Sequence, residues 1–376
     1  MDRPAPPDGI PHLAEVTPSL LAAIGTPGFE NTLDIANVNS AAVLLIDGLG
    51  AELLDTYATD APTLARLRSG TLQVGYPSTT SAGLAAIGTG TCSGQHGMVG
   101  YSFDLPDVGV MNALRWRVHP WGEDLRGTVD PAVLQPMPTA FERATSAGVD
   151  VRVVSSAEFT HSGMTQAVLR GGHYIGVHAL GDLSASMLAA LDQGGFCYGY
   201  HAMLDFVGHL YGPGSRAWRI QLRHVDLLVA TLVDELPPGA VLAVVADHGM
   251  VEIDESVVDA DSSEPLRDGV RALGGEARAR HVYTVDGAAS DVLAAWRDTL
   301  GERAWVVSGE EAIDTGWFGS GVTASVRERI GDVVVASRGR SAVLRRTVEP
   351  IESSLRGHHG SLTSAEQLVP LVLAYG

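Results

Sequence analysis

The chain has 376 residues, of which 25 are Lys or Arg and 44 are Asp or Glu, for a formal net charge of −19. All 25 of those basic positions are arginine, which excludes a Schiff-base or pyridoxal enzyme, a P-loop ATPase and a protein kinase, because each needs a lysine amine. The acidic balance also argues against a nucleic-acid partner, whose recognition leaves a basic footprint.

The opening stretch MDRPAPPDGIPHLAEV carries prolines and acids where a signal peptide needs an apolar run. No stretch approaches the ~20 apolar residues of a membrane span. Only two cysteines occur, Cys92 and Cys197, so no disulfide framework organises the chain. A soluble, cytoplasmic protein with no membrane partner is expected, with its oligomeric state open. Residues 1–40 read as an N-terminal segment packed on the core. Buried strands are expected at 41–46 (AAVLLI), 72–76 (LQVGY), 150–154 (DVRVV), 196–200 (FCYGY), 241–246 (VLAVVA) and 369–374 (VPLVLA). Helical patterns lie between them at 62–69, 81–89, 138–147, 183–192 and 217–236. Continuous apolar strands spaced by helices imply a largely parallel sheet covered on both faces. Residues 255–345 break this rhythm with strands at 281–286, 304–308 and 332–336 and helices at 289–300 and 323–329. The expected fold is a three-layer α/β/α sandwich. Residues 41–254 and 346–376 form its catalytic domain, with a smaller α/β subdomain inserted at 255–345.

Polar residues cluster just past several strands. Asp47 follows the first in LLIDGLG, and Ser78, Thr79 and Thr80 follow the second. Asp205 and His209 lie in MLDFVGHLYGPGS, and Asp247 and His248 in VVADHGM. Ligands of open α/β sheets sit outside the carboxyl ends of the strands, so these groups should converge, and His359 in GHHGS could join them. Asp with neutral His suits a divalent metal, zinc above all, in a catalytic site. Asp205 and His209 are four apart and face the same way on a helical turn. Singly, Asp47 would read as a turn residue and Thr80 as a helix cap; the set as a whole reads as a site.

The set LLIDGLG, YPSTTSAGLAAIGTGTCSGQHGMVG, DFVGHLYGP, VVADHGM and GHHG, in that order, resembles the alkaline phosphatase superfamily, and within it the nucleotide pyrophosphatase/phosphodiesterase (type I phosphodiesterase) family. The resemblance implies an alkaline phosphatase-like fold and a hydrolase acting on a small-molecule phosphate ester or nucleotide. It places Thr80 as nucleophile and implies two zinc ions, with manganese or iron as other candidates. One zinc would be held by Asp47, Asp247 and His248 and would bind the Thr80 oxygen; the other would be held by Asp205, His209 and His359. Such a pair clamps both ends of an in-line displacement, and the helix after Thr80 turns its positive end to the phosphoryl group.

The sequence departs from the family's pattern at two places. Members follow the threonine with Phe-Pro-Asn-His, where this chain has Ser81, Ala82, Gly83 and Leu84. Tyr101 stands where they place an asparagine against a phosphate oxygen; a phenol can donate there too, from a different distance. Phosphomonoesterase, phosphonate hydrolase and phosphomutase activities of the same superfamily are therefore the alternatives, followed by a non-catalytic metal-binding protein. His96 in GQHG reads as structural. His281, flanked by Arg278 and Arg280, is a candidate for holding an anionic substrate group, against an ordinary salt-bridged strand edge. GLG at 48–50 lacks the third glycine of a dinucleotide fingerprint, since Leu53 stands there. GTCSG at 90–94 has Cys92 where a nucleophile elbow needs serine.

Overall fold

The computed structural model describes residues 9–376, so the first eight residues of the expected N-terminal segment lie outside the described residues. The central sheet runs in the order Arg68–Gln73, Leu368–Tyr375, Ala240–Val245, Ser40–Ile46, Gly195–His201, Val151–Ser156, His173–Val177. Ser40–Ile46 pairs parallel with both Gly195–His201 and Ala240–Val245. Val151–Ser156 pairs parallel with Gly195–His201 and His173–Val177. Leu368–Tyr375 is antiparallel to both of its neighbours. Ser40–Ile46 and Ala240–Val245 are buried at every position, because helices such as Val16–Ala23 and Leu180–Asp192 pack across the sheet. Helix Arg216–Asp234 shows how such a cover is specified. Trp218, Leu222, Val225, Val229 and Leu232 recur at helical spacing as its buried stripe, and Ser215 Oγ accepts from Trp218 N–H at 3.2 Å to start it.

The mixed α/β class and the largely parallel sheet are as the sequence implied. The edges differ. Of the run expected as a strand at 72–76, only Leu72 and Gln73 lie in one, the end of the strand Arg68–Gln73 that directly follows helix Pro62–Leu67. No apolar run marks the edge strand His173–Val177, because the outer positions of HYIGV are exposed. A further antiparallel meander runs through Ser102–Leu105, Gly109–Asn112 and Arg117–Val118. The helix expected at 323–329 is the single turn Ala324–Arg327.

A second, antiparallel sheet runs Val270–Glu276, Ala279–Thr284, Val333–Ser337, Ala304–Ser308. One face packs Leu273, Val282, Val306 and Val333 against Val292, Trp296 and Leu300 of helix Ala289–Leu300. The other face contributes Ala279, Val307, Val334 and Ala336 to the main core, so the small sheet shares its interior with the large one. Two buried arginines reinforce the join. Arg278 Nε and Nη2 each donate to a different oxygen of Glu366 at 2.7 Å. Arg280 grips Glu349 the same way at 3.0 and 2.7 Å. Burial alone would push the Glu349 carboxyl up, but Arg280 and His119 hold it at about 2. Among the described residues no helix is long and apolar enough to cross a membrane.

A buried bidentate pair is most damaging when half-removed, because the remaining charge has neither water nor partner. Arg278→Met should therefore cost about 3–5 kcal/mol in urea unfolding. Adding Glu366→Gln to that variant should recover a large part of the loss.

Candidate active site

The site forms where the central parallel strands end. Ile46 pairs with His201, and Leu45 with Val245, so the segments carrying Asp47, Asp205 and Asp247 leave three adjacent strands at one level. Asp205 and His209 then lie on one face of helix Met203–Tyr211. His359 arrives on the chain before the last strand and stacks on His248, with ring centroids 3.6 Å apart. Two glycines make room. Gly48 has φ +75°, and a Cβ there would lie 2.9 Å from Asp205 Cβ. A Cβ on Gly83 would lie 2.8 Å from the Asp247 Cα, so the helix Thr80–Thr89 can press directly on the Asp247 turn only without one.

Each histidine is fixed through its Nδ1–H, which donates to a backbone carbonyl: His209 to Gly357 at 2.7 Å, His248 to Gly249 at 2.9 Å, His359 to Ser78 at 3.0 Å. That choice of tautomer leaves every Nε2 with a lone pair aimed inward. Those lone pairs meet carboxylate oxygens. His209 Nε2 is 3.2 Å from Asp205 Oδ2, and His359 Nε2 is 3.9 Å from Asp205 Oδ1. His248 Nε2 is 3.4 Å from Asp47 Oδ1 and 3.7 Å from Asp247 Oδ2. Asp47 Oδ1, Asp205 Oδ1 and Asp247 Oδ2 are all buried without a hydrogen-bond partner. Asp205, His209 and His359 place one donor atom each within 4.8 Å of one another, and so do Asp47, Asp205 and His248. Lone pairs facing lone pairs in a buried space call for cations between them, and these hard oxygen and imidazole donors suit divalent ions.

Protonation in the metal-free protein follows from the same crowding. Burial, then the neighbouring Asp247 and Asp205 carboxylates, push Asp47 far above the usual carboxylate range. Asp247 is raised by burial despite the pull of His248. Burial disfavours the charged forms of Asp205 and His209 as well. Their mutual attraction prevails, holding Asp205 well below the ordinary range and raising His209 to about 9. Burial, and then His248, push His359 well down.

Thr80 is the first residue of its helix, and its Oγ1 lies 3.2 Å from His248 Nε2. Its neighbours are placed otherwise. Ser78 Oγ donates to Ser361 O at 2.7 Å, while Thr79 Oγ1 is buried without a partner. Of the adjacent pair of histidines, His358 turns its Nε2 to Leu355 O at 3.2 Å, leaving His359 as the one in the cluster. Tyr101 is half-buried with its ring edge-on to His119 at 5.9 Å, and burial pushes its phenol up. His281 stands apart from the site. It is fully buried, with Nε2–H donating to Val99 O at 2.8 Å and Nδ1 accepting from Gly331 N–H at 3.1 Å. Both nitrogens are thus committed to packing, and its neighbours Arg278 and Arg280 are buried ion-pair partners, not an exposed edge. His96 Nδ1 accepts from Met98 N–H at 3.1 Å, a local structural bond to an amide.

Two further residues belong to this neighbourhood. The Tyr200 hydroxyl donates to Asp47 Oδ2, and its position at the end of the FCYGY strand was the available signal. Glu276 Oε2 lies 3.4 Å from His359 Nδ1, and it comes from a hairpin of the small sheet that no local motif marks. Burial raises Glu276 to about 8. Thr79 Oγ1 beside it favours the charged form, but falls short of a well-formed hydrogen bond, so Glu276 Oε1 and Thr79 Oγ1 both lack a full partner.

A family model described as type I phosphodiesterase / nucleotide pyrophosphatase matches residues 41–362. No curated protein sequence matches the chain. Among solved structures, murine ectonucleotide pyrophosphatase / phosphodiesterase 5, as an inactive threonine-to-alanine variant with AMP, is similar at TM-score 0.68 and 15% identity, covering 90% of this chain and 88% of that one. The human protein of the same name gives TM-score 0.69 at 15% identity, covering 89% and 88%. Phosphonoacetate hydrolase from Sinorhizobium meliloti 1021, bound to phosphonoformate, gives TM-score 0.66 at 20% identity, covering 89% and 90%.

Calorimetric titration of the metal-free protein with Zn²⁺ or Mn²⁺ should show two equivalents. Each should stabilise the fold by about 2.7 kcal/mol at a hundredfold excess over Kd. His209→Ala should keep one equivalent, whereas Asp205→Asn, whose oxygens face both clusters, should weaken both. Metal must displace the proton that metal-free His209 holds up to about pH 9, so affinity should rise with pH and level off beyond that value. A flat titration of the parent protein would remove the metal centre.

Proposed function

The chain belongs to the type I phosphodiesterase / nucleotide pyrophosphatase family, and from that premise we propose that it cleaves phosphodiester or phosphoanhydride bonds of small molecules, with Thr80 as nucleophile. The observation that carries this reading is the Thr80 hydroxyl, 3.2 Å from His248 Nε2 at the N-terminus of a ten-residue helix. The inactivity of the murine relative's threonine-to-alanine variant supports a threonine in this position.

Zinc is the proposed metal, with manganese or iron as the other candidates, held on one side by Asp47, Asp247 and His248 and on the other by Asp205, His209 and His359. When bound, two such ions supply the positive charge that favours an ionised hydroxyl and a departing oxygen. The protein's own groups do the rest. The Thr80 oxygen forms a bond to phosphorus as the bond to the leaving oxygen breaks, giving phospho-Thr80 and a released alcohol or phosphate. A water oxygen then attacks the same phosphorus, the Thr80–phosphorus bond breaks, and the hydroxyl is restored. The first N–H groups of the Thr80 helix have no intrahelical acceptor and face the phosphoryl oxygens. Tyr101 is the proposed donor to a further phosphoryl oxygen. Tyr200 holds Asp47 in its ligating orientation through its hydroxyl. Cys92 and Cys197 are both free thiols, in keeping with a reducing compartment, and a cytoplasmic location is part of this proposal.

The likeness to a phosphonoacetate hydrolase favours a second reading, cleavage of a small phosphonate. Rates on a bis-aryl phosphate, a mono-aryl phosphate and phosphonoacetate separate the two. The diesterase reading expects the bis-aryl compound to be turned over best; a better monoester or phosphonate rate would replace it. Thr80→Ala should lower kcat/KM by about 10³-fold or more with metal content unchanged, while Thr80→Ser should keep much of the activity. Unaltered turnover in a pure Thr80→Ala preparation would sink the mechanism.

A further inference from the structure

One carboxylate at the edge of the site belongs to neither metal cluster. Glu276 ends the strand Val270–Glu276 of the small sheet, and its side chain is 15% exposed. Its Oε1 is buried without a hydrogen-bond partner. Its Oε2 lies 3.4 Å from Nδ1 of His359, the nitrogen that already donates to Ser78 O at 3.0 Å. A buried carboxyl oxygen without a partner is a cost to the fold, which leaves its place opposite His359 to be explained.

The surrounding chain is shaped to put it there. Gly360, the residue after His359, has φ +123°, and a Cβ on it would lie 3.1 Å from Glu276 Cδ. The missing side chain is what lets the hairpin close on the His359 backbone. Arg278, two residues on, grips Glu366, whose Oε1 also accepts from Ser361 N–H at 3.0 Å. Arg280 grips Glu349 on the segment leading toward His359. The hairpin is thus anchored to the His359 segment both before and after the histidine.

We propose that Glu276 is a positioning residue for His359. Its Oε2, 3.4 Å from Nδ1, adds an electrostatic pull on the N–H that His359 donates to Ser78 O, which holds the ring as an Nε2 ligand and makes that nitrogen a stronger donor to a metal ion. Carboxylates behind ligating histidines act in this way, and their loss typically weakens metal binding about 10–100-fold. The small sheet would then contribute directly to the metal centre without supplying a ligand. This inference rests on the metal-dependent reading given above.

The test compares the parent with Glu276→Ala and Glu276→Gln in three measurements: Zn²⁺ affinity by chelator competition, melting temperature with and without zinc, and the His359 ring ¹⁵N shifts. For Glu276→Ala, one of two zinc equivalents should weaken about 10–100-fold while the other holds. The His359 Nδ1 shift should move. The metal-free melting temperature should stay level or rise, because a buried oxygen without a hydrogen-bond partner has been removed. Glu276→Gln keeps an acceptor oxygen without the charge and should fall between. Equal zinc affinities with an unmoved Nδ1 shift overturn the inference. So does an equal drop in melting temperature with and without zinc, the mark of a merely structural residue. A parent that takes up no zinc overturns the underlying metal reading, and the Glu276 inference with it.

Discussion

Buried carboxylate oxygens facing buried imidazole lone pairs are the constraint on which this structure turns. Asp47, Asp205 and Asp247 end up within one small volume because three neighbouring parallel strands stop at the same level. The backbone carbonyls of Gly357, Gly249 and Ser78 then orient the histidines so that their Nε2 atoms face those carboxylates. Without cations the arrangement is relieved only by protons, which is why Asp47 is pushed up and His209 takes a proton. Each isolated carboxylate in a dry site costs several kcal/mol, and the fold must tolerate that deficit before any ion arrives.

The sheet supplies the tolerance. Strands buried at every position, such as Ser40–Ile46 and Ala240–Val245, remove whole Val and Leu side chains from water, each contributing about 1.5–3 kcal/mol. The small sheet adds to this, because one of its faces completes the main core. Its two buried arginine–glutamate pairs add little net stability for their number, since desolvation offsets most of their attraction. What they contribute is geometry, by tying the hairpin at Glu276 to the chain on either side of His359.

The parts of the site that rest on chain-local patterns were legible in the sequence. A strand of continuous apolar residues ending in Asp fixes where Asp47 and Asp247 emerge, and an i, i+4 pair fixes that Asp205 and His209 share a helix face. Orientation and partnership were harder to read. The final strand is as apolar as its parallel neighbours, and nothing in VPLVLA says that it runs antiparallel. His173–Val177 escaped because an edge strand exposed on its outer positions shows no uninterrupted apolar run. Arg278, His281 and Arg280 look alike as a charged strand, yet pairing sends the arginines to buried glutamates and the histidine into the core. Glu276 acquires its significance only from residues at distant positions in the chain, so no local motif could mark it, whereas Tyr200 carries one local signal, its place at the end of the FCYGY strand.

The absence of lysine then takes on a physical sense. A lysine-free chain of net charge −19 is a poor host for phosphate if its surface charge is what counts. In the proposed site the balance is different: Asp47, Asp205 and Asp247 against two divalent ions leave a net positive charge before any substrate binds. The helix beginning at Thr80 adds the positive end of its dipole, worth a few tenths to about 1 kcal/mol for a nearby anion. A lysine would bring one strongly hydrated charge that has to be held and desolvated, whereas metal ions between fixed carboxylates are held from several sides. Under the proposed function, the acidic surface and the phosphate chemistry are compatible only with metals bound, which would tie activity to the same lone-pair confrontation that strains the metal-free fold.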